Sequence, residues 1–183
     1  MSDSIRKALA GQLEAALAML NDCIALCPPE QWDGTVAKYP FWHVAYHALC
    51  FVDCYLSPSD EAFRRSVEAR LAEAASGADA APNFHPRGMQ ELEDEYPSRR
   101  FEQPELLGYA AFCRRKIHEV LGDSPTAETS AALDGPSGFP WLPFTRAETH
   151  IYNARHVQHH AGQLGAFLRR VGVQPGWVQR GWR

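Results

Sequence analysis

The sequence predicts an all-α protein, a four-helix bundle with long connecting loops, and three observations carry that reading. Four long segments repeat their apolar residues every three to four positions, the period of an amphipathic helix. No stretch alternates apolar and polar residues as a half-buried strand would. Prolines and capping residues bound the periodic segments.

The first segment, residues 4–27, places Ile5, Leu9, Leu13, Leu17, Leu20, Ile24 and Cys27 on one stripe, and Pro28-Pro29 ends it. Residues 30–39 read as a connection with a turn at Asp33-Gly34. Pro40 suits the first turn of a second helix that runs to Leu56 and stops at Ser57-Pro58. Residues 60–75 are alanine-rich and helical in character but poor in register. Residues 76–100, rich in Gly, Pro, Asp and Glu, read as a long surface loop. A third main helix starts at Pro104, keeps Leu106, Ala110, Cys113, Ile117 and Val120 in line, and meets Gly122 at its C-terminus. A second loop, residues 123–144, holds the apolar knot Phe139-Pro140-Trp141-Leu142-Pro143-Phe144. The fourth main helix opens on Thr145-Arg146-Ala147-Glu148, a capping box in which Thr and Glu satisfy each other's backbone donors, and stops at Gly172.

At 183 residues the chain has the length of about one domain, and residues 1–183 are read as one. Net charge is −4 with histidines neutral, and 45% of residues are hydrophobic. A disordered chain carries fewer apolar residues and more net charge. A general nucleic-acid binder carries a basic surplus. No apolar run reads as the ~20 residues of a membrane span, and no secretory signal opens the chain. The five cysteines form no Cys-x-x-Cys, which fits buried, reduced thiols and a cytoplasmic location.

Six of the eight histidines fall in two windows. On the last helix His156 and His160 are four residues apart, about 40° around the axis, so both imidazoles face one side and reach a common metal ion. The same side carries Tyr152, Asn153, Gln163 and Phe167, while His150 and His159 lie off it. On the second helix His43, His47, Cys50 and Cys54 form one stripe, and a third ligand from His47 or His43 completes the set. The cysteines are read as small buried hydrophobes. A zincin needs His-Glu-x-x-His, and a di-iron bundle needs Glu-x-x-His on two helices; neither occurs. Three histidines with an open position describe a catalytic rather than a structural site.

The run Pro40-Phe41-Trp42-His43-Val44-Ala45-Tyr46-His47-Ala48-Leu49, with Asp53, Tyr55 and Leu56 after it, resembles the second helix of the DinB-like (DinB/YfiT) superfamily. The run from Tyr152 to Leu164 is similar to the last bundle helix of that superfamily, and Gly138-Phe139-Pro140-Trp141 with Trp177-Val178 looks like one branch of it. The resemblance implies a four-helix bundle, a homodimer, and a divalent metal held by His47, His156 and His160. The register that puts Tyr55 eight residues after the ligand favours His47 over His43. His43, Tyr152, Asn153 and Gln163 are then pocket residues or outer partners of the ligands. Characterised members include transferases and isomerases that use low-molecular-weight thiols.

The expected function is therefore that of a metal-dependent enzyme, a thiol S-transferase acting on a small-molecule substrate. A metal with an open position deprotonates a thiol, and the thiolate is the nucleophile. Hydrolysis by a metal-bound water and a non-catalytic metal-binding, stress-associated role are the alternatives. Glu148, Asp53, Asn153 and Gln163 are the candidate outer partners. Two of these are amides, which cannot act as bases at neutral pH, and that favours thiol transfer. Imidazole suits several metals, with zinc or nickel expected here. No nucleic-acid or membrane partner is expected.

Overall fold

The computed structural model describes residues 3–75, 99–122 and 133–182. Five helices carry most of them: α1 (Asp3–Leu26), α2 (Phe41–Leu56), α3 (Asp60–Ala75), α4 (Gln103–Leu121) and α5 (Arg146–Arg170). The expectation of an all-α protein holds. The loops expected over residues 76–100 and 123–144 lie largely outside the described residues.

The apolar stripes pack as their spacing dictates. Leu13, Leu17, Leu20 and Ile24 of α1 are fully buried, as are Leu106, Ala110, Cys113 and Ile117 of α4. Ile5 is exposed, so the buried part of the α1 stripe begins further along. α1 packs against α4 and α5, and α2 packs against the same two helices. Contrary to the sequence reading, α1 is long and apolar enough over residues 4–26 to cross a membrane by length and composition, because its alanines and leucines outnumber its few charges. In the fold 61% of its apolar 18-residue stretch is buried, as in a core helix. Its Glu14 accepts from Arg114 Nε at 2.9 Å and lies 3.0 Å from His118 Nε2.

Helix ends follow the capping logic. Thr145 Oγ1 accepts from the Glu148 backbone N–H at 3.3 Å, and Glu148 Oε2 accepts from the Thr145 N–H at 2.9 Å. A second capping box, Glu102 with Glu105, starts α4. Past α5, Gly172 takes the left-handed conformation (φ 85°) that glycine adopts without strain. Gly122 follows α4 in an extended conformation instead. Its requirement is steric: a Cβ there would lie 2.2 Å from the His118 carbonyl oxygen.

Between α1 and α2 the chain forms a small antiparallel hairpin, β1 (Thr35–Val36) with β2 (Tyr39–Pro40), where a plain connection was expected. Its turn puts Ala37 at φ 57°. Gly34 lets the hairpin meet α5 closely, since a Cβ there would lie 2.5 Å from Phe167 Cζ.

One buried carboxylate ties three helices. Asp53 of α2 accepts from Arg70 Nη2 of α3 at 3.0 Å, and from Tyr109 Oη at 3.1 Å and Lys116 Nζ at 2.5 Å on α4. Lys116 also donates to Ser57 Oγ at 2.7 Å. Among the described residues Arg70 Nε and Nη1 have no partner, so the Asp53 contact carries most of the compensation for that buried guanidinium.

His150 of α5 is buried, and its Nδ1 has no partner among the described residues. Burial, reinforced by the Arg146 guanidinium, lowers its pKa to about 3. An unfolded chain takes up this proton as pH falls through ~6.5, while the folded chain does so only near pH 3. Stability therefore falls with acidification, by about 1.4 kcal/mol per pH unit for one such proton. His150→Phe should remove that one-proton slope between pH 6.5 and 4, measured by urea unfolding at several pH values. An unchanged slope would show that His150 does not titrate with unfolding.

Candidate metal centre

α2 and α5 pack side by side and run in opposite directions, since Tyr55 meets Tyr152 while His47 meets His160. On α2 the ring-bearing residues that face α5 recur every four positions: His47, Phe51 and Tyr55. On α5 the facing residues recur at the same interval: Tyr152, His156 and His160. Two such ladders zip together, and the imidazoles meet where they cross.

His47 Nε2 lies 3.0 Å from His156 Nε2, and His160 Nε2 lies 3.2 Å from His156 Nε2. These three ligand atoms all fall within 4.8 Å of one another, and the group could hold a metal ion. At a metal–nitrogen distance of about 2.0–2.1 Å, neighbouring ligand nitrogens stand about 2.9 Å apart on an octahedral face and about 3.4 Å apart in a tetrahedron. The two separations from His156, 3.0 and 3.2 Å, fall between these values. A neutral imidazole has one in-plane position at Nε2, either a lone pair or a hydrogen. His156 Nε2 therefore satisfies only one of its two close neighbours by hydrogen bonding. A shared cation satisfies all three at once.

The surroundings keep the donors in the form a metal takes. Burial, with repulsion from His156, His160 and His43, lowers the His47 pKa to about 2. Burial, with repulsion from His160 and His159, lowers that of His156 to about 3. Burial lowers His160 as well. Gln163 Oε1 lies 2.9 Å from His160 Nδ1 and accepts its hydrogen, which leaves the Nε2 lone pair aimed at the other two rings. His156 Nδ1 is buried with no partner among the described residues, and its ring is held by packing against Phe51 and Tyr152.

Of the two candidate ligands on α2, His47 joins the group. His43 stacks on Trp42 at 5.3 Å and meets Tyr39 at 5.0 Å, one turn away. Gln163 and Tyr152 stand where the spacing puts them. Asn153 is fully buried, and its Nδ2 donates to the Val52 carbonyl at 3.5 Å. Asp53 is committed to Arg70 and Lys116, and Glu148 caps α5, so neither carboxylate stands beside the triad. Cys50 and Cys54 are buried, form no disulfide and lie outside the histidine group. Burial raises the Cys54 thiol far above its ordinary range. Phe51 and Tyr55 were missed as site residues; their signal was the four-residue step from His47. No family model, curated protein or solved structure matches the chain.

Proposed function

We propose that this chain is a metal-dependent enzyme of the DinB-like kind, a four-helix bundle of α1, α2, α4 and α5 whose catalytic centre is a divalent metal on His47, His156 and His160. The reading rests on one observation, the convergence of three Nε2 atoms from two helices onto one point. The fit is chemical as well as geometric, because all three rings are held neutral and His160 is locked in the tautomer that presents Nε2. When bound, a zinc or nickel ion there supplies the positive charge that turns a coordinated thiol into a thiolate.

The chain's residues supply orientation and an apolar setting. Gln163 fixes one ligand ring, Tyr152 and Phe51 hold another, and the described metal-binding group contains no carboxylate. A hydrolase relies on a base to manage the proton of its water. Thiolate chemistry needs no such residue, which favours transfer of a low-molecular-weight thiol to an electrophilic small molecule. Five buried free thiols suit a reducing, cytoplasmic setting. Trp177, 66% exposed, is the proposed contact of a homodimer. Trp182, by contrast, packs under the Arg114 guanidinium at 4.8 Å.

The test uses protein purified without a histidine tag or a nickel column. Metal analysis should find one divalent ion per chain. The loaded protein should conjugate bacillithiol, mycothiol or glutathione to a chromogenic electrophile faster than His160→Ala protein does. Rates equal to that variant for all three thiols would remove thiol transfer, and absence of metal would remove the centre itself.

A further inference from the structure

The seam of rings between α2 and α5 does not stop at the triad. Phe51 touches both His47 (centroids 4.8 Å) and His156 (5.2 Å). Tyr55 follows Phe51 at 5.2 Å and meets Tyr152 at 5.6 Å. Tyr55 then meets Phe139 at 5.3 Å, Phe139 meets Trp141 at 5.6 Å, and Phe144 lies 5.9 Å from Tyr152. Tyr55 and Phe139 form the buried floor; Phe51, Tyr152 and Phe144 are partly exposed, and Trp141 is 46% exposed at the outer end. A continuous aromatic strip thus leads from solvent to the converging imidazoles.

We propose that this strip is the substrate-binding face of the centre and that its ligand is a flat, uncharged ring system. The inference rests on the metal-centre reading, since it is the triad that gives a bound ring something to react with. Three considerations select the ligand. Rings stack on rings in offset or edge-to-face geometry, which a planar body satisfies along the whole strip and a puckered one does not. None of the six side chains carries a charge, so a carboxylate on the ring body finds no counter-ion among them. An organic cation would be attracted to the ring faces but repelled by a divalent metal held on three neutral ligands beside them. Trp141 and Tyr152 are then specificity-determining residues rather than catalytic ones.

Ligand-observed NMR titration tests this with three probes that share a nitro group. Nitrobenzene is flat and neutral, nitrocyclohexane is neutral but puckered, and 4-nitrobenzyl-trimethylammonium is aromatic but cationic. Metal content is measured on the same samples. Metal-loaded protein should bind nitrobenzene at least tenfold more tightly than either of the others. Phe144→Leu, which keeps bulk but loses a ring that meets the strip and not the triad, and Trp141→Ala, at an exposed position, should each remove most of that preference without loss of metal. Equal affinity for nitrobenzene and nitrocyclohexane, or an unchanged preference in both variants, overturns the proposal while leaving the metal centre standing. A nitrobenzene preference in protein that never takes up metal supports the ring site and removes the metal-centre reading instead. If sedimentation shows a dimer that Trp141→Ala dissociates, the strip is a contact between copies and the proposal fails.

Discussion

His156→Ala should abolish stoichiometric metal binding, with a loss of affinity well beyond the ~10–100-fold that removal of an outer hydrogen-bonding partner costs. His156 is the hub of the triad: its Nε2 is the atom within 3.0 Å of His47 and 3.2 Å of His160. Without it, two donors from different helices remain and the α5 contribution falls to one. Gln163→Leu provides the graded comparison. It leaves all three donors in place but frees the His160 tautomer, so its effect should fall within the ~10–100-fold range. Competition against a chromogenic chelator measures both variants. Retention of one tightly held ion per chain by His156→Ala would place the metal elsewhere.

The second large effect is on stability. Asp53→Ala should cost about 3–5 kcal/mol, the range for breaking a buried ion pair by removing one partner. The loss is not that of three favourable contacts. It is the penalty of leaving the Arg70 guanidinium, already short of partners at Nε and Nη1, and the Lys116 ammonium without their carboxylate. Asp53→Leu combined with Arg70→Met should therefore cost much less than Asp53→Ala alone, because no orphaned guanidinium is left behind. Urea unfolding midpoints decide it. A cost below about 1 kcal/mol for Asp53→Ala would mean that α3 swings out and lets Arg70 reach water.

The positions of α1, α2, α4 and α5 could be read from periodicity and punctuation, because each buries one stripe and carries local boundary signals, such as the stop at Pro28-Pro29 and the start at Thr145 with Glu148. The two α5 histidines could be read for the same reason, their spacing being a property of one helix. What spacing on one helix cannot decide is which element covers each stripe. His43 and His47 share a stripe on α2, and only the placement of α5 selects His47. Asp53 read as a possible site residue because its partners, Arg70 and Lys116, lie 17 and 63 positions away and leave no local signature. Asn153, one position beyond Tyr152, is turned into the core by a helical step of about 100°. The hairpin stayed hidden because its turn uses Ala37 at a positive φ, where glycine or asparagine would have marked it.

The two halves of the triad are 109 residues apart in sequence. A ribosome adding about 5–20 residues per second needs roughly 5–20 s to travel from His47 to His156. Over that interval the nascent chain displays His47, Phe51 and Tyr55 with no α5 to cover them. It is then an adhesive helix face rather than half of a working site. In the proposed centre, metal capture therefore cannot guide the early stages of folding: it would wait for α5 to be synthesised and docked. Whatever an ion in the proposed centre adds to stability would act as a late clasp, holding shut a groove that hydrophobic packing must already have closed.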